Sequence, residues 1–442
     1  MFINHIATYF GFSENNTNLK TEILAGVTTF MTMSYIIFVQ PAILGIAGMD
    51  KGAVMVATCI AAALSTILMG LLTNYPIALA PGMGHNVFFA VVVCGVMGYS
   101  WEVALGAVFI SGAVFLLLTF FNAWGKIIIA IPDCLKYSIA VGIGLLISFI
   151  GLQYGGLVID TSGVLVGLGD LNSPPVMVTI IGVLSTLGLL AKNIKGSILL
   201  GILLSCLAGI FLNVVSYSGV IAAIPDINPT FMKLNISGAI EAGIVVVIFV
   251  FFFLDVFDTM GTLIGVTSQA GYIQNGKLPR ANRAMLADAV GTISGSLLGT
   301  STVTSYIESS TGIAQGGRTG FASVVTGVLF LGALFFSPLT EMIGGAYMVG
   351  DTQLHPVIAP ALIIVGFLMM KSITNINWNE ITEAFPAFIV IITMPLTFSI
   401  TDGIGFGLIT YTLLMVISKK SKEIHWLVYL MTFLFIARYI FT

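Results

Sequence analysis

Apolar residues in this chain come in long uninterrupted runs, cut by charges and by Gly, Pro and Asn clusters. The runs fall at 22–45, 52–73, 76–97, 102–121, 127–152, 175–191 and 196–216. A second set follows at 238–262, 284–299, 302–315, 320–338, 356–370, 384–400 and 402–418, and a last run, 424–441, stands apart. A helix that crosses a bilayer needs roughly 20 apolar residues. The pattern therefore predicts an all-α polytopic membrane protein with about fourteen transmembrane segments. Run 424–441 is either a fifteenth span or a helix lying against the bundle.

Seven is odd, so two seven-segment halves would run in opposite senses across the membrane as inverted repeats, a recurrent transporter architecture. Two interruptions support that reading. In segment 3 the run Asn74-Tyr75-Pro76-Ile77-Ala78-Leu79-Ala80-Pro81-Gly82-Met83-Gly84-His85-Asn86 breaks a helix with Pro and Gly. In segment 10, Gly299-Thr300-Ser301-Thr302-Val303-Thr304-Ser305-Tyr306-Ile307-Glu308 favours extended backbone. Each is a short β-like stretch, third in its half. Irregular backbone at membrane depth survives only where protein or a watery cavity satisfies its polar groups, and paired interruptions point to a transport site.

Composition sharpens the class. Of 442 residues, 57% are hydrophobic and 8% charged, against about 25% charged in soluble domains. The net charge of −3 without a basic cluster excludes a nucleic-acid partner, and the outer surface is expected to face lipid. Cys59, Cys94, Cys134 and Cys206 lie in apolar runs without metal-ligand spacing, so neither a metal nor a cofactor is expected. Residues 1–19 carry no basic residue and no cleavage site of a signal peptide. Phe2, Ile3, Ile6, Tyr9 and Phe10 suit either an interfacial amphipathic segment or a frayed end. With a cytoplasmic N-terminus, the connections on that side hold Lys20, Lys126, Lys192, Lys195, Lys277, Arg280, Arg283, Arg318, Lys371, Lys419, Lys420 and Lys422, which is 12 of the 16 basic residues.

The scarce charges then locate chemistry. Asp255 and Asp258 follow the uncharged run 243–254. Asp255 lies roughly 20 Å along a helix beyond Glu241, inside a hydrocarbon layer of about 30 Å. A spacing of three residues puts both acids on one helix face, at a cost of about 2.5–3.5 kcal/mol each. Their structural alternative is to brace the turn at Thr259-Met260-Gly261-Thr262. Glu308 follows the second β-like stretch, and its structural alternative is a salt bridge to Arg318. Asn86 is its counterpart in the first half and supplies an amide donor and acceptor. Asp288 reads as a structural pair with Arg283, and His85 as a satisfied histidine that could also titrate. Gly312…Gly316-Gly317-Arg318-Thr319-Gly320 lacks the ending of a phosphate loop and reads as a tight turn. Three core acids without a comparable Lys or Arg repel a permanent anion. They suit a ligand rich in donors, a cation or protons, the equipment of a proton-coupled symporter. An enzyme is disfavoured: Asp258-Thr259-Met260-Gly261 lacks the signature of an intramembrane hydrolase. A channel fits broken-helix pairs with buried acids less well.

These residues resemble the adenine/guanine/hypoxanthine permease branch of the nucleobase–cation symporter-2 family. The matching strings are Thr21-Glu22-Ile23-Leu24-Ala25-Gly26-Val27-Thr28-Thr29-Phe30, Ala80-Pro81-Gly82-Met83-Gly84, Phe257-Asp258-Thr259-Met260-Gly261-Thr262-Leu263, the stretch Thr300–Gly320, Ala359-Pro360-Ala361-Leu362 and Met394-Pro395-Leu396-Thr397. The resemblance implies import of purine nucleobases by proton symport across the plasma membrane, with a core domain moving against a gate domain and homodimers formed through the gate. The core would comprise 20–121 and 238–340, the gate 122–216 and 356–442, and 1–19 a cytoplasmic or interfacial segment. It further implies that Asn86, Asp255 and Glu308 bind the purine, that backbone near Tyr306 and Ile307 lines the pocket, and that Asp258 and Glu308 serve proton coupling. Two departures stand out. Gln40-Pro41 replaces Asn-Pro, and His85-Asn86-Val87 replaces Leu-Asn-Ala. The second leaves the choice of purine open, with uracil, xanthine or another organic solute as the alternative.

Overall fold

A computed structural model describes residues 2–121, 132–161, 164–241, 244–272, 278–350 and 352–441. Lys126 and Lys277 lie outside them. Among the described residues the protein is mostly helical. Eight helical stretches are long and apolar enough to cross a membrane: Leu19–Ile46, Lys51–Thr73, Trp101–Phe120, Asp133–Tyr154, Pro174–Ala191, Val245–Thr267, Gly320–Ile343 and Ile400–Ile417. Shorter apolar helices include Met83–Val96, Ser197–Phe211, Ala359–Asn375, Ile381–Thr397 and Trp426–Ala437. The run 424–441 is thus a helix, Trp426–Phe441. Two surface hairpins, Val158–Thr161 with Val164–Leu168 and Tyr347–Val349 with Thr352–Leu354, were not foreshadowed by the apolar pattern.

The chain divides into two compact units. The larger comprises Met1–Phe120 with Tyr154–Ala361. Its site-forming elements are α1 (Leu19–Met33), α2 (Lys51–Thr73), β1 (Leu79–Pro81), α3 (Met83–Val87), α4 (Val245–Gln269), α5 (Ala281–Leu298), β2 (Val303–Ser305), α6 (Ser309–Ala314) and α7 (Gly320–Gly332). Helix α2 packs on both α5 and α7, and α5 packs further on Trp101–Phe120. Small residues allow this. At Gly320 an added Cβ would lie 2.0 Å from the carbonyl oxygen of Gly70, so the crossing of α2 and α7 requires glycine. The first apolar run is not one straight helix. It breaks at Ser34-Tyr35, between α1 and Ile36–Ile46.

The two β-like stretches are strands, and they pair with each other. β1 and β2 run antiparallel, with Leu79 opposite Ser305, Ala80 opposite Thr304 and Pro81 opposite Val303. Proline is tolerated because this two-stranded ribbon has only edge strands. Two further backbone bonds extend the ribbon, Gly82 N–H to Thr302 O at 3.0 Å and Tyr306 N–H to Ala78 O at 2.9 Å. Each strand is also clamped by a threonine from the helix that precedes it. Thr66 of α2 accepts the Leu79 N–H and donates to the Leu79 carbonyl, both at 2.9 Å. Thr292 of α5 accepts the Val303 N–H at 3.2 Å and lies 3.0 Å from the Val303 carbonyl. Extended backbone is thereby satisfied without water.

One end of this unit gathers three arginines. Arg280 donates to the Thr73 carbonyl at 2.5 Å and Arg283 to that of Leu72 at 3.5 Å, at the C-terminal end of α2. Arg318 donates to Ile313 and Gly317 carbonyls at 2.8 and 2.7 Å, which bears out a tight turn there. At the same end the buried Glu22 carboxylate accepts the Arg318 and Thr319 N–H groups, while Asn74 accepts that of Gly320. Acceptors at the N-terminus of α7 complement its dipole.

The smaller unit comprises Phe121–Gln153 with Leu362–Thr442. Ile381–Thr397 and Ile400–Ile417 form a helical hairpin, and Gly144 meets Gly366 so closely that a Cβ on the latter would lie 2.3 Å from the Gly144 carbonyl. Val141, Ile376, Ala387 and Ile391 form a buried cluster in this unit.

Candidate functional site

The ribbon positions a cluster of polar side chains within the larger unit. α3 begins directly after β1 and carries His85 and Asn86, while the turn after β2 carries Tyr306, Ile307 and Glu308 into α6. α4 brings Asp255 and Asp258 alongside, and α5 brings Asp288. Short helices starting from a strand aim their N-terminal N–H groups toward the ribbon, where donors suit an acceptor-bearing ligand.

Asn86 is fully buried. Its carbonyl accepts a short bond from the Ser301 hydroxyl. Gln40 donates to Thr300 Oγ1 at 2.7 Å and to Ser301 Oγ at 3.3 Å, so Ser301 directs its own proton to Asn86. The Asn86 amide nitrogen is left without a partner among the described residues. Asn86 is thereby oriented with its amide N–H free to donate. Gln40, which departs from the family's Asn, supports that orientation through Ser301.

Asp255 is fully buried and accepts from Thr292 at 3.2 Å. Its carboxyl neighbours that of Asp288, and its Oδ1 has no hydrogen-bond partner among the described residues. Asp288 is likewise fully buried and accepts from Thr259 at 2.8 Å. This corrects the expectation that Asp288 pairs with Arg283, whose guanidinium is spent on α2. Helical phase explains the difference, since five residues separate the two on α5 and place them on different faces. Thr259 also contacts Thr304 Oγ1 at 2.8 Å. A hydroxyl has one proton to give. Thr259 gives its own to Asp288 and receives that of Thr304; Thr292 receives the Val303 N–H and gives its proton either to Asp255 or to the Val303 carbonyl.

Asp258 differs from these acids in its access. Its side chain is 47% exposed, and its Oδ2 lies 3.9 Å from His85 Nδ1. Glu308 is half-buried and accepts the Tyr35 hydroxyl at 2.9 Å. Its alternative partner, Arg318, bonds backbone carbonyls instead. Tyr306 is buried, its hydroxyl on the Pro81 carbonyl, while Ile307 is 54% exposed. Asp255, Asp258, Tyr306 and Glu308 lie near one another, and Asn86 bonds Ser301 just ahead of β2. The sequence reading passed over Tyr35, Gln40, Ser301 and the role of Asp288. A lone amide before Pro41 and a tyrosine inside an apolar run were the available signals for the first two. Among the described residues no group of His, Cys, Asp and Glu could hold a metal ion.

Comparison with known proteins places this arrangement. The model of the Permease family matches residues 20–406. The chain is 44% identical over 446 residues to guanine/hypoxanthine permease PbuG of Bacillus subtilis (strain 168), covering 98% of this chain and 99% of that one. It is 42% identical over 433 residues to adenine permease AdeP of Escherichia coli (strain K12), covering 98% and 95%. In three dimensions it resembles the transmembrane domain of a cyanobacterium bicarbonate transporter, BicA, with a TM-score of 0.63 at 14% identity over 87% of this chain and 97% of that one. It also resembles murine Slc26a9, an anion transporter, with a TM-score of 0.64 at 11% identity over 90% and 69%. These two likenesses establish a shared fold alone. With a family match spanning nearly the whole length, and several apolar helices, the chain belongs to the nucleobase–cation symporter-2 permease family, whose members are multi-pass membrane transporters and not enzymes.

Proposed function

We propose that the protein imports purine nucleobases by proton symport, with a core domain moving against a gate domain in alternating access. The observation that carries this reading is a donor and a set of acids gathered around paired broken segments, with no Lys or Arg among them in the described residues. Asn86 offers an amide N–H to a ring nitrogen or exocyclic oxygen of the purine. Asp255 and Glu308 offer carboxyl oxygens to its ring N–H donors, and backbone near Tyr306 and Ile307 lines the same pocket. Asp258, open to the pocket, exchanges the coupled proton, with Glu308 beside it. Relatives named as guanine/hypoxanthine and adenine permeases support the substrate class.

The matched threonine clamps on β1 and β2 support two inverted seven-segment halves, fourteen segments in all, with core segments drawn from 20–121 and 238–340 and gate segments from 122–216 and 356–442. Arg280, Arg283 and Arg318 at one end support a cytoplasmic N-terminus in the plasma membrane.

Radiolabelled hypoxanthine uptake into proteoliposomes tests the site: Glu308→Gln and Asp255→Asn each abolish it, and near-normal uptake by both would sink the assignment. An imposed pH gradient drives accumulation, whereas a sodium gradient without one does not. Dependence on sodium with indifference to pH would overturn proton coupling. A competition panel of purines, uracil and inorganic anions tests the substrate class, with purines alone expected to compete.

A further inference from the structure

The family's leucine before the site asparagine is histidine here, and its ring is placed where chemistry can use it. His85 is 1% exposed, and neither ring nitrogen has a hydrogen-bond partner among the described residues. A buried imidazole without partners is costly, because one nitrogen must always donate and the other accept when neutral. The nearest charged group is Asp258, 3.9 Å from Nδ1. A closure of about 1 Å makes a charge-assisted hydrogen bond. The ring's position is held from behind. A Cβ added at Gly82 would lie 2.5 Å from His85 Nδ1, so the turn into α3 needs glycine to leave the ring its space.

The titratable groups around the pair come from every neighbouring element. Asp255 and Asp258 belong to α4, Asp288 to α5, Tyr306 and Glu308 to the turn after β2, and Tyr35 to the start of Ile36–Ile46. None of these is basic. His85 is therefore the single side chain facing the cluster, among the described residues, that can hold positive charge.

We propose that His85 is the proton partner of Asp258, so that the coupled proton is held by the pair and not by a lone carboxyl. This inference rests on the reading of Asp258 as the acid that exchanges protons with the pocket. One proton has two positions: on Asp258, donated to Nδ1 of an imidazole whose Nε2 carries its hydrogen, or on Nδ1, donated back to the carboxylate. Neither charge nor proton count of the pair changes between them. His85 neighbours Asn86 on the five-residue α3, so closure of the pair pulls on the residue that presents the amide donor. Proton binding and purine binding are thereby linked through adjacent side chains.

The test is hypoxanthine uptake into proteoliposomes as a function of pH, for the wild type, His85→Gln and Asp258→Asn. Glutamine keeps an amide beside Asp258 but cannot take up a proton, so the pair loses one of its two proton positions. The pH midpoint of uptake is expected to move about one unit toward acid, the scale at which two groups titrate as one site. His85→Asn is read in the same way should glutamine impair folding. An unchanged midpoint in these histidine variants overturns the pairing. Asp258→Asn separates the two readings. If it still accumulates hypoxanthine under a pH gradient, Asp258 is not the proton site; if it does not, and the histidine variants keep the wild-type midpoint, the pairing alone fails.

Discussion

Access sorts four acids that the chain places at similar depth. Asp255 and Asp288 are fully buried, each within reach of a threonine hydroxyl. Asp258 opens to the pocket, and Glu308 is held by Tyr35. Removing the Tyr35 hydroxyl leaves the Glu308 carboxylate short of a donor. A hydrogen bond to a charged group contributes about 1.5–3 kcal/mol, so Tyr35→Phe is expected to raise the KM for hypoxanthine at least about tenfold with the protein still folded. An unchanged KM would separate Tyr35 from the site. Asp288→Ala takes the acceptor from Thr259 and leaves Asp255 facing a void. Its melting temperature in detergent falls and uptake is lost, whereas Asp288→Asn, which supplies a donor to Asp255, recovers the melting temperature.

At the scale of elements, two three-residue strands would not persist alone in an apolar setting. They persist because the partner strand, the threonines Thr66 and Thr292 and the Tyr306 hydroxyl meet their backbone groups. Thr66 and Thr292 carry the same task, and only Thr292 also touches a site acid. Thr66→Val and Thr292→Val each strand a buried backbone pair and cost about 1–3 kcal/mol, seen as lower melting temperatures. The two should part in transport: Thr292→Val further weakens hypoxanthine binding by freeing Asp255, while Thr66→Val does so less. Equal effects on binding would deny Thr292 its link to the site.

The whole molecule sorts its charges by depth. Apart from the cluster, those of the larger unit's one end are spent on helix termini, as with Arg280, Arg283 and Glu22. The smaller unit carries an exposed pair, Lys420 with Glu380 at 3.0 Å. The hydrogen bond from Lys420 holds the Glu380 carboxyl below the usual carboxylate range. Its folded value being depressed, the pair's contribution is complete above the unfolded carboxylate's value and lost as pH falls through the lowered one. Both groups face solvent and are screened by salt. Glu380→Gln is therefore expected to leave the melting temperature at pH 7 and hypoxanthine uptake unchanged.

The membrane class, the approximate placement of the helices, the two broken segments and the acids Asp255, Asp258 and Glu308 were legible in the residues, because hydropathy and misplaced charge are local properties. The family was legible too, in contiguous strings such as Thr300–Gly320 that survive without coordinates. Contacts between distant segments were not. That β1 pairs with β2, that Tyr35 reaches Glu308 across 273 residues, and that Gln40 orients Asn86 through Ser301 depend on tertiary packing. Asp288 shows the limit from the other side: sequence proximity suggested Arg283, and helical phase gave it to Thr259 and Asp255. Which residues are charged in the membrane is written in one dimension. Which of them is buried against a threonine, and which keeps an exposed carboxyl, is decided only when the chain closes in three.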